Sequence, residues 1–67
     1  MNVGLAIKSR REKLGLSQVY VSEAAGISQA MLCQIERGTK NPSLQVSAEI
    51  AKLLRCSLED LLAGALE

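Results

Sequence analysis

The chain contains no histidine, no tryptophan and no phenylalanine, a single tyrosine (Tyr20), a single proline (Pro42) and a single aspartate (Asp60). Two cysteines, Cys33 and Cys56, are too few to build a tetrahedral zinc site without histidine, so no metal or other cofactor is expected. No serine or cysteine has a plausible general base beside it, and the glycines are scattered rather than gathered into a phosphate-binding loop, so an enzyme is not expected. One aromatic residue is poor equipment for stacking on single strands or RNA loops. Alternation of β-branched and aromatic residues is absent, which argues against strands. The apolar runs are too short to span a bilayer, and no signal-peptide pattern opens the chain. With nothing to mark it as secreted, reduced cysteines and a cytoplasmic compartment are expected.

What is present is a chain of 67 residues, read as one domain over residues 1–67. A domain of this size buries only about 60% of the surface its unfolded chain exposes, so a partner is a natural supplement to its small core. The net charge of +1 is unevenly spread. Residues 1–40 carry Lys8, Arg10, Arg11, Lys13, Arg37 and Lys40 against Glu12, Glu23 and Glu36, or +3; residues 41–67 carry Lys52 and Arg55 against Glu49, Glu59, Asp60 and Glu67, or −2. A basic front and an acidic back is the polarity expected if the first half meets phosphates.

Gly15, Gly26 and Gly38 punctuate the chain about every dozen residues, the rhythm of short helices. The first helix is predicted from Val3 to Leu14, with Val3, Ile7, Leu14 and the stem of Arg11 on one face. Ser17 caps a second helix, Gln18 to Ala25, and Ser28 caps a third, Gln29 to Arg37. Ser43 caps a fourth, Leu44 to about Leu54, and Ser57 a fifth from Leu58 onward, with Asp60 echoing a capping box. Serine thus precedes four of the five helices, and the prediction is an all-α fold.

The stretch QVYVSEAAGISQAMLCQIE, Gln18 to Glu36, has the spacing of a helix-turn-helix. Val21, Ala25, Ile27, Leu32 and Ile35 are apolar where a two-helix corner needs a core, Ser22 is small at the close approach, and Gly26 suits a positive φ. In the third helix Leu32 and Ile35 point inward, whereas Gln29, Ala30, Cys33, Gln34 and Arg37 point outward. Glutamine pairs bidentately with adenine in the major groove and alanine meets a thymine methyl. A merely solvated helix face would more often carry Glu and Lys four residues apart.

Taken together, GLSQ at Gly15 to Gln18, GIS at Gly26 to Ser28, ERG at Glu36 to Gly38 and PS at Pro42 and Ser43 resemble the phage Cro and CI repressor family, also called the XRE family. The resemblance covers about residues 3 to 62. It implies a compact five-helix, lambda-repressor-like domain with its third helix in the major groove of double-stranded DNA. It assigns base contacts to Gln29, Ala30 and Gln34, to which Cys33 is added from its place on the outward face. Phosphate contacts fall to Gln18, Ser28, Arg37, Lys40 and Asn41. Arg11 and Glu36 resemble a structural ion pair linking the first and third helices. Five positions depart from the family pattern, two of them Met31 and Cys33, which are unusual inside the reading helix. Arg10 replaces an apolar residue and is read as snorkelling or, preferably, as another phosphate contact. Ser47 replaces a leucine and thins the core. Arg55 replaces a glycine at the end of the fourth helix, at a strain of about 1 kcal/mol.

Tyr20 is read either as a phosphate contact or as packing on the third helix. Cys56 is read as a small buried hydrophobe, and Cys33 as a position where oxidation would add bulk to the reading surface. Leu58, Leu61, Leu62 and Leu66 exceed what so small a bundle hides and predict a homodimer interface. The function expected is a dimeric, sequence-specific transcriptional repressor or autoregulator on a near-palindromic operator. A restriction–modification controller, an antitoxin, or an interaction module that has lost DNA binding are the alternatives.

Overall fold

The computed structural model describes the backbone of residues 3–66 and the side chains of residues 3–63. Five helices follow in order: α1 Val3–Lys13, α2 Gln18–Ala25, α3 Gln29–Arg37, α4 Leu44–Leu53 and α5 Leu58–Leu66. The described residues contain no strand. The one boundary that differs in α1 is Leu14, expected as its last residue. Its N–H still bonds the Arg10 carbonyl at 3.1 Å, but the chain is already turning toward Gly15 and the side chain is 41% exposed.

The serines begin the helices as their chemistry dictates. Ser17, Ser28 and Ser43 are extended, and their Oγ atoms accept from the N–H of Tyr20, Met31 and Val46 at 3.0, 3.0 and 3.1 Å. Each bond satisfies one first-turn donor that the helix itself cannot. At α5 the cap is reciprocal: Ser57 Oγ accepts from Asp60 N–H at 3.0 Å, and Asp60 Oδ2 accepts from Ser57 N–H at 3.3 Å. That is a capping box with aspartate in the place of glutamate. The backbone hydrogen bond from Ser57, then its hydroxyl, hold the Asp60 carboxyl below its ordinary value.

Four helices end in one way. At Gly15, Gly26 and Gly38 the backbone turns to φ between 72° and 83°, and paired bonds close the last turn, for example Gly26 N–H to Glu23 O at 3.1 Å and Ile27 N–H to Ser22 O at 2.9 Å. These arrangements satisfy carbonyls stranded at the helix C-terminus. At the end of α4 Arg55 makes the same turn with φ 58°, through Arg55 N–H to Lys52 O at 3.1 Å and Cys56 N–H to Ala51 O at 3.0 Å. The strain anticipated at Arg55 is therefore present. Relieving it by Arg55→Gly should stabilise the fold by about 0.5–1 kcal/mol, the left-handed penalty less the extra freedom glycine gives the unfolded chain. A thermal melt should shift upward by roughly 2–8 °C; an unchanged or lowered midpoint would show that the arginine side chain compensates for its backbone.

The core consists of Ile7 from α1, Val21 from α2, Leu32 and Ile35 from α3, Ile50, Ala51 and Leu54 from α4 and its turn, and Leu61 from α5. Ala25, Ile27 and Cys56 pack against it half-buried. Helix α1 lies against α3 and α5, α2 against α3 and α4, and α4 against α5. Ser47 sits in this interior as expected, and Ser22 is buried with its hydroxyl returned to the Val19 carbonyl at 3.1 Å. No buried side-chain nitrogen or oxygen among the described residues lacks a partner, the condition under which polar groups are tolerated in a core.

One expectation is extended here and one corrected. Arg10 stays exposed, and it has a partner within the chain: its Nε–H donates to the Leu54 carbonyl at 3.2 Å. A cation at the negative end of α4 bonds a carbonyl there, and Arg10 also lies close enough to Asp60 to favour its carboxylate. Arg10 thus ties α1 to the α4–α5 corner. Leu61, placed among the dimer leucines, is only 2% exposed and belongs to the monomer's own core. Leu58 is half-buried and Leu62 is 49% exposed, while the side chain of Leu66 lies outside the described residues.

Candidate nucleic-acid interface

The corner of α2 and α3 turns on Gly26, where φ is 75° and a Cβ would meet nothing within 4 Å. The backbone conformation, rather than crowding, is what favours glycine at this turn. Beyond it, α3 divides sharply. Leu32, Ile35 and Glu36 are buried on one face, whereas Gln29, Ala30, Gln34 and Arg37 are exposed on the other. Cys33, expected on the outward face, is half-buried at its edge, and Met31 is half-buried against the core. Cys33 and Cys56 are both free thiols.

The inner face of α3 is fixed by an ion pair. Arg11 Nε–H donates to Glu36 Oε2 at 2.8 Å and Nη2–H to Glu36 Oε1 at 3.0 Å, a two-pronged match of guanidinium to carboxylate. Arg11 Nη1–H donates to the Leu16 carbonyl at 2.8 Å, which anchors the α1–α2 loop as well. The hydrogen bond to Glu36 is the main reason Arg11 is held above its ordinary guanidinium value. The pair was legible as family-like; the third bond, to Leu16, was not.

Gln18 has an unforeseen partner. Its Nε2–H donates to Glu36 Oε1 at 3.0 Å, so one of its two amide hydrogens is committed within the protein. The serine cap of α2 engages the Tyr20 N–H, and the Ser17 carbonyl engages Val21 N–H at 3.1 Å. The N–H groups of Gln18 and Val19 remain at the positive end of that helix, which favours an anion. Helix α3 begins similarly. The hydroxyl of Ser28 accepts from Met31 N–H, which leaves its own hydrogen to donate. Arg37, Lys40 and Asn41 follow as exposed side chains at and beyond the end of α3.

Tyr20 is 53% exposed and lines a small cleft with Leu14, Leu16, Leu53 and Arg55, between the α1–α2 loop and the end of α4; no residue of α3 lines this cleft. Among the described residues no group of three or more cysteine and carboxylate side chains is gathered to hold a metal, and no helix is long and apolar enough to cross a membrane.

Two short helices packed at a left-handed glycine turn, the second with one face buried and the other exposed, form a helix-turn-helix. The sequence pattern of the helix-turn-helix family matches residues 7–61, and the chain belongs to that family. It is 44% identical over 66 residues to an uncharacterized HTH-type transcriptional regulator of Mycobacterium tuberculosis, covering 96% of this chain and 47% of that protein. The immunity repressor protein of Bacillus phage phi105 is 41% identical over 54 residues, 81% of this chain and 38% of that protein. The chain thus spans about half the length, or less, of these relatives. The crystal structure of the P22 c2 repressor in complex with a synthetic operator superposes with a TM-score of 0.87 at 31% identity, covering 96% of this chain and 97% of that one. The likeness to phage repressors read from the sequence is met.

Proposed function

We propose that this chain is a sequence-specific, double-stranded DNA-binding transcriptional regulator that acts in the cytoplasm as a homodimer, most simply as a repressor by occupancy of its operator. The observation that carries this reading is the division of α3: one face is locked into the core and onto Arg11, and the other offers Gln29, Ala30 and Gln34 to a groove. In that role Gln29 and Gln34 read adenine edges and Ala30 meets a thymine methyl, with Cys33 at the margin. Gln18, Ser28, Arg37, Lys40 and Asn41 position the protein on the backbone. The exposed Leu62 and half-buried Leu58 supply the dimer contact on α5. Two reading helices then meet half-sites about one helical turn apart. The relatives and the operator complex support the reading, because those proteins are an HTH-type transcriptional regulator, a phage immunity repressor and a repressor bound to a synthetic operator.

Arg37 and Lys40 are exposed cations assigned to phosphates whose side chains make no bond within the described structure. A dimer would neutralise about four phosphates, so the logarithm of affinity should fall with the logarithm of salt concentration at a slope of about −3.6. Fluorescence anisotropy of a labelled duplex across a salt series measures this slope. A folded protein that does not bind the duplex even at low salt would instead favour the interaction-module reading.

A further inference from the structure

The Glu36 carboxylate does more than neutralise Arg11. Its Oε1 accepts two hydrogen bonds, from Arg11 Nη2 and from Gln18 Nε2, both at 3.0 Å. Glu36 is 4% exposed, whereas Gln18 is half-exposed at the first position of α2. A carboxylate can only accept, so it selects the orientation of the glutamine amide: the NH2 group must face Glu36 and the carbonyl oxygen must not. A free glutamine amide samples both orientations, and a phosphate, which also only accepts, is served by the NH2 end alone. One Nε2 hydrogen is spent on Glu36 and one remains to donate.

We propose that Glu36 is a positioning residue for DNA binding, fixing the orientation of the Gln18 amide, so that the remaining Nε2 hydrogen is available to a phosphate without a reorientation step. The proposal rests on the reading of Gln18 as a phosphate contact. Orientation fixed before binding lowers the entropic cost of association. The same buried carboxylate holds α1 through Arg11, α3 through its own backbone and the start of α2 through Gln18. The reading helix and the phosphate contact are thereby held in register with one another.

Glu36→Ala alone is a poor test, because it strands Arg11. A buried ion pair replaced on both sides by apolar residues of similar size is often accommodated, so the informative background is Arg11→Met with Glu36→Met. Affinity for a random-sequence duplex is measured at low salt for the wild type, Gln18→Met, the double variant and the triple variant. In the wild-type background Gln18→Met should weaken binding about tenfold, the scale of one hydrogen bond to a charged group. In the double background the same change should weaken binding clearly less, because an amide that must first be ordered contributes less. If Gln18→Met retains its full effect there, Glu36 does not position Gln18 and the proposal is overturned. If Gln18→Met has no effect in the wild type, the phosphate reading of Gln18 itself is wrong and the proposal falls with it.

A measurement on the unmodified protein serves if the double variant does not fold. The side-chain amide hydrogens of Gln18 should exchange with solvent at least tenfold more slowly, by NMR, than those of the exposed Gln29, Gln34 and Gln45. Equal exchange rates would contradict the hydrogen bond on which the proposal stands.

Discussion

Replacing Glu36 with alanine is expected to destabilise the chain by about 3–5 kcal/mol, the scale for stranding one member of a buried ion pair. The side chains of Arg11 and Glu36 are 11% and 3% exposed, so solvent does little to screen the guanidinium left behind. Glu36 also provides the acceptor for Gln18, and its loss undoes that bond as well. The total stability of a chain this size is roughly 3–10 kcal/mol by the usual per-residue range, so the variant should lose about a third of its stability or more. Urea unfolding followed by circular dichroism tests this directly. A loss below about 1 kcal/mol, the range for exposed pairs, would mean that the pair behaves as a surface contact despite its burial. The apolar pair Arg11→Met with Glu36→Met should recover most of the lost stability, which separates the cost of an uncompensated charge from the cost of missing volume.

The second large effect concerns recognition rather than folding. Changing both Gln29 and Gln34 to alanine should cost about 2–6 kcal/mol per half-site of discrimination between the preferred sequence and random duplex, from 1–3 kcal/mol for each bidentate pair. Binding to random duplex should scarcely change, because the phosphate contacts remain. Both side chains are exposed and unbonded through their amides within the described structure, and alanine is a good helix former. Stability should therefore stay within about 0.5 kcal/mol of the parent. The ratio of affinities for preferred and random duplexes is the quantity to measure. An unchanged ratio would remove the glutamines from sequence reading and shift the burden to Ala30, Cys33 or the shape of the DNA.

The parts of this architecture that were legible in the sequence are local. A serine that accepts from an N–H three residues on, and a glycine that turns the chain out of a helix, act within one turn, so Ser17, Ser28, Ser43, Gly26 and Gly38 could be placed from spacing alone. The two faces of α3 were legible for the same reason, through helical periodicity. Arg55 shows that even a departure from the common pattern is readable when its backbone role is local. What was not legible depends on how helices pack. Arg10 finds its carbonyl 44 residues away, and Gln18 meets Glu36 across 18 residues. Neither separation leaves a local signature. Among the leucines of α5, periodicity offers several candidates for the interior, and only the placement of α1 and α4 commits Leu61 to the core while leaving Leu62 exposed.

These long-range bonds also explain how so small a domain holds a reading helix rigidly. Helix α3 is fixed by three kinds of contact: Leu32 and Ile35 in the core, Glu36 on Arg11, and the Ser28 cap at its start. Its exposed side chains are then free to serve recognition alone.

The most direct test of the account is selection of the purified protein against a random duplex library, followed by sequencing. A two-fold symmetric motif should be enriched, with half-sites separated by about 10 base pairs and adenines at the positions most strongly selected. Salt-sensitive binding with no enriched motif, from a protein shown to be folded, would contradict it.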